Sequence, residues 1–274
     1  MLHEQVKPLT PGETQKVMKT HLKLVIAIAS IGSALSATSP AVGTLTTLAS
    51  FNGSNGLYPE AGLVQGTNGD FYGTASAGGA SGRGTVFEIT PSGTLTTLAS
   101  FDGTDGANSR AGLVQGTNGD FYGTTFAGGA YADGTVFEIT PPGTLTTLAS
   151  FDGTDGANPM AGLVQGTNGD FYGTTFAGGA YADGTVFEIT PSGTLTTLAS
   201  FDGTNGYLPA AGLVQGTNGD FYGTTSAGGT SNRGTVFEIQ TVPESDFELG
   251  ILATSGILGV AALRSRGRTG AHSR

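Results

Sequence analysis

The residues of this sequence best suited to chemistry are two pairs of aspartates in glycine-rich segments. Asp102 and Asp105 lie in the segment DGTDG, and Asp152 and Asp155 lie in an identical segment fifty residues later. Carboxylate oxygens and tight glycine turns suit Ca²⁺, so these four aspartates are the candidate metal ligands. Clusters of Asp or Asn with Gly more often form turns without a metal. The turn is therefore the alternative interpretation, and no other cofactor is indicated.

Catalytic residue types are scarce in the middle of the chain. The sequence has no cysteine, its histidines are at positions 3, 21 and 272, and its lysines all precede residue 24. Ser–His, thiolate and Schiff-base catalysis therefore have no candidate residues there. Four glutamates recur once every fifty residues, and an active site normally breaks such symmetry; they are Glu88, Glu138, Glu188 and Glu238. The sequence predicts a protein that is not an enzyme, with a secreted carbohydrate-active enzyme as the rival hypothesis.

The charge of this region also limits its partners. Between residues 43 and 240 there are sixteen acidic residues and three arginines. A surface this acidic repels phosphate backbones, so nucleic acid is not an expected partner.

Four copies of one unit of about fifty residues occupy residues 43–240 and divide as 43–92, 93–142, 143–192 and 193–240. A period of this length indicates an array or a propeller. Each unit has four strand-like runs that are rich in β-branched and aromatic residues. Turn signals of the types Asn-Gly and Pro-x-Gly separate them. Four consecutive runs of this kind, which cross from the second unit into the third, are Ala111–Gly116, Phe121–Thr125, Thr135–Thr140 and Thr144–Phe151.

The array begins with Thr44–Phe51, which has the sequence of the fourth run, and ends with a strand that has the sequence of the third run. The sequence therefore predicts an all-β fold, a four-bladed β-propeller of fifty-residue repeats in which the N-terminal strand completes the last blade. A β-solenoid and an eight-bladed ring from two chains are the alternatives. Leu145 and Leu148 should point to opposite faces of their sheet, and Gly112 and Gly123 should permit close approach of neighbouring groups.

The four copies differ mainly in two connections, from the fourth strand to the next first strand and from the second strand to the third. In an up-and-down blade these connections share one edge, and loops on a rigid scaffold commonly bind partners. Aromatic and arginine side chains suit such contacts, although neutral drift in exposed loops is the alternative explanation. The predicted binding residues are Arg83, Arg110, Phe126, Tyr131, Phe176, Tyr181 and Arg233.

The N-terminus has the pattern of an export signal. The basic residues Lys19 and Lys23 precede the apolar run Leu24–Leu35, and small residues follow before Ala37. Residues 1–36 are therefore predicted to be a signal peptide, with Met18 as an alternative translation start.

The C-terminal segment, residues 241–274, has a second apolar run at Leu249–Leu263, followed by an arginine cluster. The short motif Val242-Pro243-Glu244 precedes this run. The arrangement resembles the PEP-CTERM sorting tails of Gram-negative bacteria. The resemblance implies a short transmembrane helix that anchors the protein transiently and an exosortase that processes it. A plain membrane anchor is the alternative.

Residues 43 to 239 resemble the GloVer-type tandem repeats of choice-of-anchor proteins. The phrases GLVQGTNGDFYGTT and GTVFEITPSGTLTTLASF carry this resemblance. It implies an exported protein at the cell surface or in the extracellular matrix, with a non-catalytic binding or structural role. The expected partner is an exopolysaccharide or another surface protein, and a passive spacer without a ligand is the alternative.

Overall fold

A computed structural model describes residues 43–240 of the chain. The predicted signal peptide, the sorting motif Val242-Pro243-Glu244 and the apolar run of the tail all lie outside these residues. Within the described part, residues 43–47 carry no strand, and the side chain of Leu45 is 99% exposed. No helix in that part has the length and apolar character to cross a membrane.

The described residues form short strands arranged in four antiparallel sheets that repeat along the chain. The first sheet has β1 (Val64–Gln65), β2 (Phe71–Ala75), β3 (Thr85–Ile89) and β4 (Leu95–Ser100). The second has β5 (Val114–Gln115), β6 (Phe121–Thr125), β7 (Thr135–Ile139) and β8 (Leu145–Ser150). The third has β9 (Val164–Gln165), β10 (Phe171–Thr175), β11 (Thr185–Ile189) and β12 (Leu195–Ser200). The fourth has β13 (Val214–Gln215), β14 (Phe221–Thr225) and β15 (Thr235–Ile239).

Within each sheet the strands follow one another in chain order, so the predicted up-and-down connectivity is confirmed. The Asn118-Gly119 signal closes the hairpin between β5 and β6, where Gly119 has a φ of +92°. A bulge interrupts the pairing of β7 with β8 between Val136 and Phe137. Leu145 packs against the first sheet and Leu148 against the third, which confirms that they point to opposite faces.

The core lies between consecutive sheets. Between the first and second sheets, the ring of Tyr72 stacks on Phe121 with a centroid distance of 4.0 Å, and both side chains are fully buried. Val86 on one sheet and Phe137 on the next are also fully buried in this layer. Each such side chain contributes about 1.5–3 kcal/mol through burial. The same layer recurs between the later sheets.

Glycines permit the close approach that this packing requires. A Cβ on Gly123 would stand 2.6 Å from a ring carbon of Phe137. A Cβ on Gly112 would stand 3.3 Å from the carbonyl oxygen of Gly62, so the segments just before the first strands of neighbouring sheets approach each other closely. The predicted role of both glycines is confirmed.

The structure does not show the predicted completion of the fourth sheet by Thr44–Phe51. This segment carries no strand, and the described part of the fourth sheet has three strands. The end of the segment instead covers the first sheet, because Phe51 packs edge-on against Phe87 with a centroid distance of 5.0 Å. Phe101 packs on Phe137 of the second sheet in the same way, at 5.2 Å.

Candidate functional site

The turns and loops of the sheets lie at two opposite edges, which differ in sequence. The repeated edge comprises the turns between first and second strands and between third and fourth strands, which are nearly identical in all units. The variable edge comprises the two longer connections of each unit. Its segments are residues 51–61, 101–111, 151–161 and 201–211, and residues 76–84, 126–134, 176–184 and 226–234.

Backbone hydrogen bonds hold the two loops of the variable edge together. Ala107 and Ala127 exchange a pair of backbone hydrogen bonds, with N–O distances of 2.6 and 3.0 Å. The amide of Asn108 also donates to the carbonyl of Arg83 at 2.8 Å. Asn158 and Leu208 make the equivalent bonds to Asp133 and Asp183, so these three long connections are fixed both to a loop of their own sheet and to the loop of the sheet before it. The shared edge predicted for these loops is confirmed.

The predicted binding residues all lie on this edge, in two kinds of environment. Tyr131 and Tyr181 are 62% and 64% exposed and occupy the same position in consecutive units. Arg110 and Phe126 contact each other, because the guanidinium carbon lies 4.2 Å from the ring centroid. Such a cation–π contact restrains both side chains.

The remaining predicted residues are more widely spread. The guanidinium of Arg83 lies over the turn that contains Gly103. Phe176 is half-buried in the third unit, where Met160 stands in the place of Arg110, and Arg233 is exposed in the fourth unit. The structure therefore places all seven residues on one edge without bringing them into a single cluster.

Backbone strain is concentrated on the variable edge. Ala132 and Ala182 have φ values of +68° and +63°, a region that costs a residue with a Cβ about 1–2 kcal/mol. Ala132 follows Tyr131, and Ala182 follows Tyr181. Every other non-glycine residue with a positive φ in the described chain is also on this edge; these are Tyr58, Asn108, Asn158, Leu208 and Asn232. Strain of this kind is typical of functional loops.

The candidate calcium ligands form side-chain-capped turns. One carboxylate oxygen of Asp102 accepts hydrogen bonds from the amide and the hydroxyl of Thr104, at 2.8 and 2.7 Å. The amide of Asp102 donates to the carboxylate of Asp105 at 2.8 Å. Hydrogen bonds from Thr104 lower the pKa of Asp102, whereas desolvation raises the pKa of Asp105.

Asp152 and Asp155 repeat these turn contacts in the third unit. Among the described residues, no three acidic or histidine side chains come together as a metal site. The geometry matches the turn interpretation, and calcium at these four aspartates stays a prediction.

The repeated edge has a side-chain network that sequence reasoning missed. The phenol of Tyr122 donates to Glu138 at 2.6 Å, and the amide nitrogen of Asn118 donates to the phenol oxygen at 2.8 Å. Asn118 also donates to Asp120 at 2.9 Å. In the first unit, burial raises the pKa of the equivalent Tyr72 to about 12, and its hydrogen bond to Glu88 adds to this shift. The recurrence of Asn, Asp, Tyr and Glu at fixed spacing in every unit was the available signal.

The repeated edge also joins one sheet to the next. The side-chain oxygen of Gln115 accepts a hydrogen bond from the amide of Thr67 at 3.1 Å, and Gln165 and Gln215 accept equivalent bonds from Thr117 and Thr167. A groove of about 270 Å³ lies at the first of these junctions. This volume is below the range of roughly 300–1,000 Å³ that is usual for small-molecule pockets.

The two edges differ in charge as well. Each carries eight of the sixteen acidic residues, but all three arginines of the repeats lie on the variable edge. The variable edge is therefore the less acidic of the two, and it alone presents guanidinium groups.

Several solved structures are similar to this chain. A streptogramin B lyase has 18% identity and a TM-score of 0.43, with 67% of this chain and 55% of that chain covered. Virginiamycin B lyase from Staphylococcus aureus has 18% identity and a TM-score of 0.41, with coverage of 65% and 55%. A gluconolactonase from Xanthomonas campestris has 16% identity and a TM-score of 0.43, with coverage of 64% and 57%. The match thus spans a little over half the length of these proteins.

Among curated proteins, no sequence matches this chain. The model of the Gloeobacter/Verrucomicrobia repeat family matches residues 29–237, which is most of the sequence and includes nearly all the described strands. The chain therefore belongs to the Gloeobacter/Verrucomicrobia repeat family.

Proposed function

We propose that this chain is an exported, non-catalytic repeat protein whose variable edge binds a ligand at the cell surface or in the extracellular matrix. In this proposal the stacked sheets are blades of a β-propeller, and an exopolysaccharide is the ligand class that the edge fits best. Another surface protein is the second ligand class.

One observation carries the proposal, namely that Tyr131 and Tyr181 are exposed at equivalent positions of two strained loops. Tyr131 and Tyr181 are more than half exposed, and each precedes an alanine in the left-handed region. An aromatic ring offers a flat apolar face with a polar tip, which suits the face of a sugar ring. Arginines on the same edge add donors for hydroxyl or carboxylate groups.

A non-catalytic role has support from the residue types on this edge. Histidine, cysteine and lysine do not occur between residues 43 and 240. The acidic side chains best placed there, Asp102 and Asp105, bond to their own turn. The edge thus offers contact surface rather than an acid–base pair.

A glycan array tests the binding function. We expect the full-length chain to bind a subset of polysaccharides, and the double variant Tyr131→Ala, Tyr181→Ala to lose at least tenfold in affinity. A matched control is Thr146→Ala, because Thr146 is exposed on β8 away from this edge. A silent array would favour a passive spacer, and release of cleaved sugar would favour a carbohydrate-active enzyme.

Export has its own test. We expect the signal peptide to be removed before Ala37 and an exosortase-type enzyme to cut near Glu244, so that the mature protein leaves the membrane. Mass spectrometry of the exported protein measures both ends. An intact C-terminus at Arg274 in the membrane fraction would instead indicate a permanent anchor.

A further inference from the structure

The fourth sheet leaves one face uncovered. Val236 on β15 is 79% exposed and Val214 on β13 is 62% exposed. The residues equivalent to Val236 in the first three sheets, Val86, Val136 and Val186, are fully buried because the next sheet covers them. No described residue covers Val236 in the same way.

The first sheet leaves the opposite face partly uncovered. Leu63 is 54% exposed, whereas the equivalent Leu113 and Leu163 are each 8% exposed. Phe71 is half-buried, whereas the equivalent Phe121 is fully buried under Tyr72. The first sheet therefore has the surface that normally receives a preceding sheet.

The two exposed faces are complementary halves of an interface that the chain already makes three times. Each interface includes a stacked Tyr–Phe pair at 4.0 Å, and these pairs are Tyr72–Phe121, Tyr122–Phe171 and Tyr172–Phe221. Among the described residues, Tyr222 has no such phenylalanine and Phe71 has no such tyrosine. Neighbouring sheets are also joined by a hydrogen bond from a threonine amide to a glutamine side chain, as from Thr67 to Gln115. By this pattern, the amide that would donate to Gln65 belongs to Thr217, at the other end of the array.

The strands at the two ends are complementary too. β15 has no fourth strand beside it in the described chain, so its outer edge presents unpaired backbone groups. Leu48–Phe51 lacks a sheet to pair with. It lies against the first sheet, in the position that the last residues of a preceding fourth strand would occupy. A Cβ on Gly93 would stand 2.7 Å from the carbonyl oxygen of Leu48, and Gly143 has the same relation to Leu98, at 2.8 Å.

We propose that the fourth sheet of one copy docks onto the first sheet of a second copy, and that Leu48–Ser50 of the second copy becomes the missing fourth strand. A second copy is the occupant that the structure favours because it carries the same apolar face, stacking ring and strand that cover the first three sheets. Within one chain, the described residues leave both faces open. This inference does not depend on the proposed function.

The register follows from the complete sheets. Thr85 pairs with Ser100 and Val86 pairs with Ala99. By the same register, Thr235 of one copy faces Ser50 of the other, and Val236 faces Ala49. Such a head-to-tail contact is heterologous, so it closes into a ring or extends into a longer assembly. Two copies joined at both ends contain eight sheets, which is within the range of known propellers.

Single cysteines test the contact directly, because the chain has no cysteine of its own. We expect a mixture of full-length Ala49→Cys and Val236→Cys to form a disulfide-linked pair under mild oxidation, since facing residues in antiparallel strands are within disulfide reach. The mixture of Tyr131→Cys with Val236→Cys is the control and should stay unlinked. A chain that carries both Ala49→Cys and Val236→Cys and links only to itself would overturn the inference in favour of closure within one copy.

The oligomeric state gives an independent measurement. One chain has a mass of 27.4 kDa, and light scattering of the full-length protein in mild detergent should give at least twice that value. Val236→Glu should restore the single-chain mass with an unchanged circular dichroism spectrum, because Val236 is exposed in one copy and tolerates the change. Tyr131→Ala should leave the larger mass intact. A wild-type protein that is monomeric at about 100 μM would overturn the inference. In that case the tail or the chain's own N-terminus would cover the fourth sheet.

Discussion

The repeated edge and the variable edge are built from the same strands, yet they use their side chains in opposite ways. On the repeated edge, side chains bond to one another, as Tyr122 does to Glu138 and Asn118. On the variable edge, backbone groups make the bonds between loops, as between Ala107 and Ala127. Any residue except proline supplies a backbone donor, so the side chains at these backbone-bonded positions are free to change.

This difference explains why sameness among the four copies is not a sign of binding. The residues Asn118, Asp120, Tyr122 and Glu138 recur in every unit because each sheet needs them for its own hydrogen bonds. Tyr131 recurs only at Tyr181, is more than half exposed and makes no described bond that its sheet requires. The repeated edge therefore stabilises the sheets, whereas the proposed function places recognition on the variable edge.

The largest expected effect is the difference in stability between two tyrosine-to-alanine variants of the second unit, one at each edge. Tyr122→Ala should lower the free energy of unfolding by about 3–5 kcal/mol, because it removes a fully buried ring and its stacking on Phe171. Tyr131→Ala should change it by less than about 0.5 kcal/mol, since the side chain is exposed. Urea denaturation of both variants measures the contrast. Equal losses at the two positions would show that the variable edge also stabilises the fold.

A second prediction concerns the strain beside the exposed tyrosine. Ala132→Gly should raise the free energy of unfolding by about 1 kcal/mol, because glycine adopts the φ of +68° without a steric penalty. The first unit has Gly82 at the equivalent position, with a φ of +71°. Ala130→Gly is the matched control, since Ala130 has no positive φ and should gain nothing. A loss of stability in Ala132→Gly would mean that the alanine methyl group makes contacts worth more than its strain.

The alkaline limit of stability should report on the repeated edge. Burial raises the pKa of Tyr72 from its ordinary value of about 10 to about 12. The folded state therefore retains the phenol proton longer than the unfolded state, so this contribution is complete below pH 10 and is lost as the pH rises through 12. Urea denaturation at several pH values between 9 and 12 should show a shallower decline for Tyr72→Phe than for the wild type. Identical slopes would indicate that Tyr72 does not carry this dependence.

Much of the fold was readable from the sequence because its signals are local. The runs Phe121–Thr125 and Leu145–Ser150, and the Asn-Gly turn before the first of them, are specified by residue types within each unit. First strands were predicted too long, at Ala111–Gly116, because Gly112 lies against the backbone of Gly62 in the preceding unit instead of pairing in a strand. What pairs with the open edge of the fourth sheet depends on contacts between distant segments, and the pattern within a unit does not encode it.

The site was readable in part for the same reason. Variation among copies located the variable edge and its seven candidate residues correctly on one side of the sheets. The contact of Arg110 with Phe126 and the positive φ of Ala132 depend on loop geometry that residue types alone do not reveal. The Asn118–Tyr122–Glu138 network was missed because its members are separated by a turn and a strand, although each recurs in every unit.

The smallest expected effect concerns the acidic turns of the variable edge, where the copies already contain the relevant substitution. The first unit has Asn52 and Asn55 in place of Asp102 and Asp105, and the amide of Asn52 donates to the side-chain oxygen of Asn55 at 2.8 Å. The corresponding bond from Asp102 to Asp105 has the same length. Since amide oxygens cap this turn as well as carboxylates do, the double variant Asp102→Asn, Asp105→Asn should change the free energy of unfolding by less than about 0.5 kcal/mol.

Calcium separates the two interpretations of these turns. If the aspartates serve only as turn caps, calorimetry at millimolar Ca²⁺ should give the same Tm for the wild type and for a variant with asparagine at positions 102, 105, 152 and 155. A bound ion would instead raise the Tm of the wild type by mass action, and the asparagine variant would lose that rise because it lacks the ligand charge. The first and fourth units, with Asn55 and Asn205 in the second acidic position, serve as internal controls. A calcium-dependent rise confined to the wild type would establish the metal site and give the variable edge a role besides the proposed recognition.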